Sequence, residues 1–175
     1  MNRRVSYNIA LCAMMSAMLT VGKLALSWLA NVEIVTVLIV VFVLSFGLKR
    51  CLVAINCFII TEIALYPAQI WILCYVIHFN LLAVIVWLVG LKTHNSLLLA
   101  IPAAVLTVLF GVQTTAFEIL VGAPAIPFLE AFAIRYVAGI SFFTIHIISS
   151  FATVLILTPI LLPPLAKLGG KANNI

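Results

Sequence analysis

The chain has 175 residues, of which 66% are hydrophobic and 7% are charged, and its formal net charge is +5. Soluble domains carry roughly 25% charged residues, so too few charges remain here to cover a water-facing surface. This composition excludes a disordered tail, a soluble enzyme and a nucleic-acid binder as the main interpretation. We expect an all-α membrane protein that forms a single integral membrane domain over residues 1–175.

Breaks in hydrophobicity divide the chain into about six predicted transmembrane helices. Each break is a short segment with charges, glycine or proline, which are the residues that end apolar helices. The predicted helices cover approximately residues 7–30, 33–48, 51–65, 69–91, 96–121 and 136–162. A loop from Gly122 to about Ala131 precedes the last helix, and Pro163-Pro164 with Gly169-Gly170 is expected to close it.

Two of these helix assignments rest on specific arguments. The first apolar run, of about 24 residues, is too long for a cleaved signal peptide and long enough to span a bilayer. The second and third helices stay separate, because one merged span would place Lys49 and Arg50 near the bilayer centre. That placement costs roughly 2.5–3.5 kcal/mol for each residue, and a tight turn at Phe46-Gly47-Leu48 avoids it.

The basic residues predict an orientation in the membrane. Alternate numbering of the loops places seven of the nine basic residues on one side: Arg3, Arg4, Lys49, Arg50, Lys92, Lys167 and Lys171. The positive-inside rule assigns this side, with both termini, to the cytoplasm. The outer half receives Lys23, Arg135 and the four acids, which are Glu33, Glu62, Glu118 and Glu130. The sequence therefore predicts a cluster of ionisable groups in the outer half.

Polar residues of the first helix follow one helical stripe. Ionisable groups inside a span are costly and usually face a protein interior or a wet cavity. The stripe contains Ser16, Thr20, Lys23, Ser27 and Asn31. It indicates either one wall of a pocket or a packing face on which hydroxyl groups bond back to carbonyls and Lys23 snorkels to the interface.

The third and fourth helices offer a second candidate wall. Trp71, Tyr75 and His78 share one helical face, which indicates a pocket wall or, alternatively, an interfacial aromatic belt with one packed histidine. Glu62 and Tyr66 lie one turn apart. A glutamate this deep needs either Lys23 or Arg135 as its partner, or it is protonated.

The densest candidate segment lies at the start of the last helix. Arg135, Gly139, Phe142 and His146 share one face. An arginine binds a carboxylate through two parallel hydrogen bonds, a phenyl ring stacks on a flat ligand, and glycine permits close approach. The alternative for His146 is a packed, hydrogen-bonded core histidine.

Nothing in the chain predicts catalysis or metal binding. The motifs GxSxG and HExxH and the phosphate-binding loop are absent. The four cysteines form no CxxC pair, and we interpret them as small apolar residues. We therefore predict no catalytic residue, no metal site and no cofactor, and we expect a protein that is not an enzyme.

These residues resemble the substrate-binding S components of energy-coupling factor (ECF) vitamin transporters over nearly the whole chain. The resemblance rests on the six short helices and on the small-residue run Ala10-Leu-Cys-Ala13-Met-Met-Ser-Ala17. It also rests on three further segments, Asn31-Val-Glu-Ile-Val-Thr36, Phe46-Gly-Leu-Lys49 and Tyr136-Val-Ala-Gly-Ile-Ser-Phe before His146.

The resemblance implies a bundle in a bacterial cell membrane that binds a micronutrient in an outward pocket beneath the loops joining helices 1–2, 3–4 and 5–6. It implies partners as well: a transmembrane coupling subunit and two ATPase subunits, which drive toppling of the loaded protein and release inside. The docking face would carry Ala10, Ala13 and Ala17. The pocket would include Asn31, Glu33, Glu62, Trp71, Tyr75, Arg135, Tyr136 and His146. Ser149-Ser150 stands where a polar amide is expected, so the resemblance does not fix the substrate.

The predicted substrate-binding set is Lys23, Asn31, Glu33, Glu62, Tyr66, Trp71, Tyr75, His78, Glu118, Glu130, Arg135, Tyr136, Gly139, Phe142 and His146. Four acids against two cations favour a ligand with an amine or a cationic ring nitrogen, and the aromatic residues favour a flat ring. Thiamine-like, pyrimidine-like and deazaguanine-like compounds fit, while pantothenate and a corrinoid stay open. Two other classes also stay open: a six-helix scaffold for cell-envelope assembly, and a stand-alone carrier or membrane enzyme.

Overall fold

A computed structural model describes residues 3–29, 32–67 and 69–173 of the chain. Within these ranges the chain is all-helical, without a β-strand, and it forms seven helices. They are α1 (Arg3–Ala25), α2 (Val35–Phe46), α3 (Leu48–Leu65), α4 (Ile70–Gly90), α5 (Ser96–Gly122), α6 (Phe128–Ala138) and α7 (Ile140–Asn173). Among the described residues, four helical stretches are long and apolar enough to cross a membrane: Arg4–Ala25, Ile70–Gly90, Ser96–Gly122 and Ile140–Gly170. The expected all-α architecture, with apolar helices suited to a bilayer, is confirmed.

Helix α2 lies at the centre of the bundle. Every residue from Val35 to Val43 is buried, and most of them have no exposed surface. The helix packs against α1, α3, α4 and α7. A helix that is apolar around its whole circumference is typically buried, and here the four neighbouring helices bury it.

The short length of α2 creates space inside the bundle. At 1.5 Å per residue its 12 residues extend about 18 Å, whereas the 21 residues of α4 and the 27 residues of α5 extend about 32 and 40 Å. The longer helices therefore continue past the N-terminal end of α2. Val32, Glu33 and Val35, at that end of α2, line a cavity.

The tight turn between α2 and α3 confirms the predicted separation of these helices. Gly47 ends α2 with φ 86° and ψ 158°, a conformation that glycine adopts without the steric cost of a side chain. Lys49 and Arg50 follow in the first turn of α3, at the end of the bundle away from the cavity. Arg50 Nε donates to Asn8 Oδ1 of α1 at 3.0 Å.

The first predicted helix, residues 7–30, is shifted in the structure. Helix α1 begins at Arg3 and ends at Ala25. Beyond Ala25 the chain changes to turns closed by hydrogen bonds such as Ser27 N–H to Leu24 O, at 3.2 Å. The apolar composition continues through this segment, so composition alone placed the end of the helix too late.

The prediction of one final helix over residues 136–162 is wrong. The structure has α6 (Phe128–Ala138) and α7 (Ile140–Asn173), separated at Gly139. Pro127 precedes the first residue of α6, so the proline that suggested a loop instead starts a helix, where its missing N–H is harmless. The connection after α5 is accordingly shorter than the predicted loop to Ala131.

The prolines and glycines near the chain end do not close α7 as predicted. The helix continues through Pro159, Pro163 and Pro164, all of which are exposed on its outer side. Gly169 lies directly on the backbone carbonyl of Ser45 in α2, where an added Cβ atom would overlap the Ser45 oxygen. Gly169 therefore permits close packing of α7 on α2.

Successive long helices alternate in direction relative to the cavity. The C-terminal ends of α1, α3 and α5 and the N-terminal ends of α2, α4 and α7 contribute its lining. The start of α1, the α2–α3 turn, the α4–α5 connection and the end of α7 lie at the opposite end. Those opposite segments carry the seven basic residues that the sequence assigned to one side.

Candidate functional site

A cavity of about 880 Å³ lies over the N-terminal end of α2. Helices α1, α3, α4, α5, α6 and α7 surround it. Its lining combines aromatic rings, aliphatic side chains, hydroxyl groups and ionisable groups. Such a concave, largely apolar site with a few convergent polar groups is typical of small-molecule binding.

One wall of the cavity is a continuous series of aromatic rings. The ring of Tyr75 lies 5.1 Å from Trp71 and 5.5 Å from Phe110, measured between centroids. The Phe110 ring is in turn 4.9 Å from His78 and 5.7 Å from His146. The wall crosses from α4 through α5 to α7 and presents flat apolar faces to the cavity.

The ammonium group of Lys23 lies among three of these rings. Its Nζ atom is 4.2 Å from the ring centroid of Trp71, 4.8 Å from Tyr66 and 5.4 Å from Tyr75. It also donates a hydrogen bond to Glu62 Oε2 and forms an ion pair with that carboxylate. Cation–π attraction and the ion pair together hold this charge inside an apolar wall.

Glu62 is fully buried behind Lys23 and does not itself line the cavity. Of the partners that the sequence left open for this carboxylate, the structure selects Lys23. Arg135 instead pairs with Glu118 at 3.4 Å, and both of those side chains are substantially exposed. Glu62 therefore contributes to the site through Lys23 and not by contact with the cavity.

Glu33 reaches the cavity from the N-terminal end of α2. Its Oε1 accepts from the Ser150 hydroxyl and its Oε2 accepts from the Thr36 N–H, each at 2.9 Å. Its backbone N–H donates to the Ser149 hydroxyl at 2.9 Å. Ser150 also accepts a hydrogen bond from Thr107 of α5 at 3.1 Å. The two serines that replace an expected amide thus fix the position of Glu33.

The structure brings most of the predicted binding residues to this one cavity. Those in its lining are Lys23, Glu33, Tyr66, Trp71, Tyr75, His78, Glu118, Arg135, Gly139, Phe142 and His146. Glu130 is exposed near the start of α6, and Tyr136 stacks on Phe132 and Phe143; neither belongs to the lining. Asn31 lies outside the described residues.

The polar stripe of α1 serves two different purposes. Ser16 is buried, and the Thr20 hydroxyl donates back to the Ser16 carbonyl at 3.2 Å, as in helix packing. Lys23 and Ser27, farther along, belong to the cavity lining. The packing interpretation therefore applies to the first half of the stripe.

Several residues that line the cavity were not predicted from the sequence. The main ones are Phe110, Thr114 and Thr115 of α5 and Phe143 of α7. Phe143 packs so closely that a Cβ atom added at Gly111 would lie 3.1 Å from its ring, and one added at Gly139 would lie 2.9 Å from it. The sequence feature that could have indicated these residues is the run Gly111-Val-Gln-Thr114-Thr115, which is polar inside an otherwise apolar helix.

The small residues predicted for partner docking lie on the outside of the bundle. Ala10, Ala13 and Ala17 are exposed on α1. Large apolar side chains flank them on the same helix, among them Met14 at 62% exposure and Val21 at 63%. This face of α1 therefore has no neighbour within the described part of the chain.

The cysteines and other potential metal ligands form no evident centre in the described ranges. Cys12, Cys51 and Cys74 are buried, Cys57 is exposed, and all four are free. No group of three or more His, Cys, Asp or Glu side chains, among the residues described, is placed to hold a metal ion.

Comparison with known proteins identifies no family for this chain. No family model matches it, and no curated protein or solved structure does so either. The features that bear on function are therefore the cavity and the side chains around it.

Proposed function

We propose that this protein captures a small water-soluble vitamin or related micronutrient at the outer face of a bacterial cell membrane. Capture serves ATP-driven uptake by an energy-coupling module, in the manner of the S components that the sequence resembles. The protein itself is not an enzyme, and partner subunits hydrolyse ATP.

The observation that carries this proposal is the 880 Å³ cavity at the end of the bundle opposite the basic residues. The positive-inside rule puts the basic end in the cytoplasm, so the cavity belongs to the outer half. A six-helix scaffold needs no such cavity, whereas a capture protein requires one. Its aromatic wall and few polar groups suit a compact, partly flat compound.

The exposed small-residue face of α1 supports the proposed partnership. Without a hydrophobic driving force between helices in lipid, close approach through small residues is a main source of helix association. Ala10, Ala13 and Ala17 provide that surface for the transmembrane coupling subunit. The cavity and this face involve different sides of α1, so loading and docking occur without competition.

A thermal-unfolding screen of the detergent-purified protein against water-soluble vitamins tests the proposal. A ligand at about a hundred times its Kd stabilises the folded state by about 2.7 kcal/mol. Phe142→Ala, in the cavity, should reduce this stabilisation. Phe128→Ala, on α6 outside the lining, is the matched control and should keep it. A panel in which no compound stabilises the protein contradicts the proposal.

A further inference from the structure

Three carboxylates lie in or directly behind the cavity wall: Glu33 and Glu118 line the cavity, and Glu62 is buried behind Lys23. The described residues contain two ion pairs, Lys23–Glu62 and Arg135–Glu118. Glu33 belongs to neither of them, although it lines the same cavity. Of these three carboxylates, Glu33 is therefore the one whose charge no cationic side chain of the described residues balances by direct contact.

Neutral donors hold Glu33 in place. They are the Ser150 hydroxyl and the Thr36 N–H, one on each carboxylate oxygen. The N-terminus of α2 adds a partial positive charge of about half an elementary charge. A carboxylate has about four acceptor positions, so about two remain for a ligand.

The three-ring cage around Lys23 does not offer a second cation site. The Lys23 ammonium already fills it. Displacing Lys23 would leave Glu62, which has no exposed surface, as an unpaired buried charge. That loss makes exchange of Lys23 for a ligand cation unfavourable.

The two histidines of the cavity form no ion pair with Glu33, although His146 lies close enough to interact electrostatically with that carboxylate. His78 and His146 both pack against the Phe110 ring. Neither takes part in an ion pair with a carboxylate within the described ranges.

We infer that the captured compound is a monocation whose amine, amidine or charged ring nitrogen lies against Glu33. This inference rests on the proposed capture function and names the charge of its substrate. The flat part of the compound lies along the aromatic wall that contains Trp71, Tyr75 and Phe110. Arg135 and Glu118 also line the cavity, but their charges neutralise each other in an ion pair. This pair therefore does not require a charge on the ligand.

Three probes of nearly the same shape test the charge preference on the unmodified site. Benzamidine is a cation, benzamide is neutral and benzoate is an anion. Trp71 fluorescence reports binding, with Trp28→Phe and Trp87→Phe removing the other two tryptophans. A charge-assisted hydrogen bond predicts that benzamidine binds about tenfold or more tightly than benzamide. Benzoate should bind most weakly.

Glu33→Gln then tests the assigned residue, because it replaces the charged carboxylate with a neutral amide of nearly the same shape. The preference for benzamidine over benzamide should disappear. Glu130→Gln, outside the lining, should retain it. Equal or stronger binding of benzamide or benzoate to the unmodified site overturns the charge inference alone. Absence of binding by all three probes and by the vitamin panel overturns the capture function and the inference together. The probe comparison needs no Glu33 variant, so a misfolded variant does not remove the test.

Discussion

Lys23 joins three helices: it forms an ion pair with Glu62 of α3, and its Nζ lies 4.2 Å from the Trp71 ring centroid of α4. The carboxylate is fully buried, while 20% of the Lys23 side chain remains exposed to the cavity. This contact therefore stabilises the bundle and shapes the cavity wall at the same time.

Removal of one partner of this pair should destabilise the fold. Lys23→Met leaves Glu62 buried without a counter-charge, and Glu62→Leu leaves Lys23 without its acceptor. Each should lower the free energy of unfolding by about 3 kcal/mol, the lower end of the range for buried pairs, because Lys23 is partly exposed. Denaturant unfolding in detergent measures this. The double variant should be more stable than the sum of the two losses predicts, and strictly additive losses would contradict the pairing.

The close packing of α7 on α2 predicts that a side chain added at Gly169 lowers the stability of the fold. Gly169→Ala places a methyl group on the Ser45 carbonyl and should cost about 1–3 kcal/mol of stability. Gly170→Ala is the adjacent control, since a Cβ atom there meets no atom within 4 Å. Alanine also favours the helix at this neighbouring position. Equal melting temperatures for the two variants would show that α7 does not approach α2 in this way.

Sequence reasoning succeeded where the signal was local. The turn at Gly47 and the span of α5 followed from charge placement, glycine and apolar length. The shared helical spacing of Trp71, Tyr75 and His78 also pointed to a cavity wall, because residues at i, i+4 and i+7 must share a face.

The remaining features depend on contacts between distant parts of the chain. Ser150 is 117 positions from Glu33, and no periodic pattern links a serine in α7 to the end of α2. Gly169 looked like a helix terminator because its neighbour, the Ser45 carbonyl, is invisible in the local sequence. Pro127 was ambiguous for a similar reason, since proline suits both a loop and the first turn of a helix.

The orientation of the bundle predicts a labelling pattern. In a Cys57→Ser background, cysteines at Ala125 and at His94 occupy exposed connections at opposite ends of the bundle. A membrane-impermeant maleimide should label Ala125→Cys in intact cells. It should label His94→Cys only after permeabilisation. The reverse pattern would place the cavity on the cytoplasmic side and contradict outward capture.

If the exposed face of α1 is the docking surface, substitutions there should disrupt assembly with partner subunits and leave ligand binding intact. Ala13→Leu together with Ala17→Leu should abolish co-purification with the proposed coupling and ATPase subunits, because the larger side chains prevent close helix approach. Ligand-induced thermal stabilisation should remain unchanged. Ala133→Leu, exposed on α6, is the control and should retain both properties. Assembly that survives the double substitution would exclude this face as the docking surface.

Native mass spectrometry of the detergent-purified protein tests the central claim most directly. Ala138 lines the cavity, and Ala138→Trp projects a large ring into it; Val137→Trp adds a ring outside the lining, at a residue that is 64% exposed. The account predicts a bound small molecule of fixed mass in the unmodified protein and in Val137→Trp, and its loss in Ala138→Trp. A compound that remains bound in Ala138→Trp would contradict capture in this cavity. An unmodified protein that is empty and gains no stability from any vitamin would contradict capture altogether.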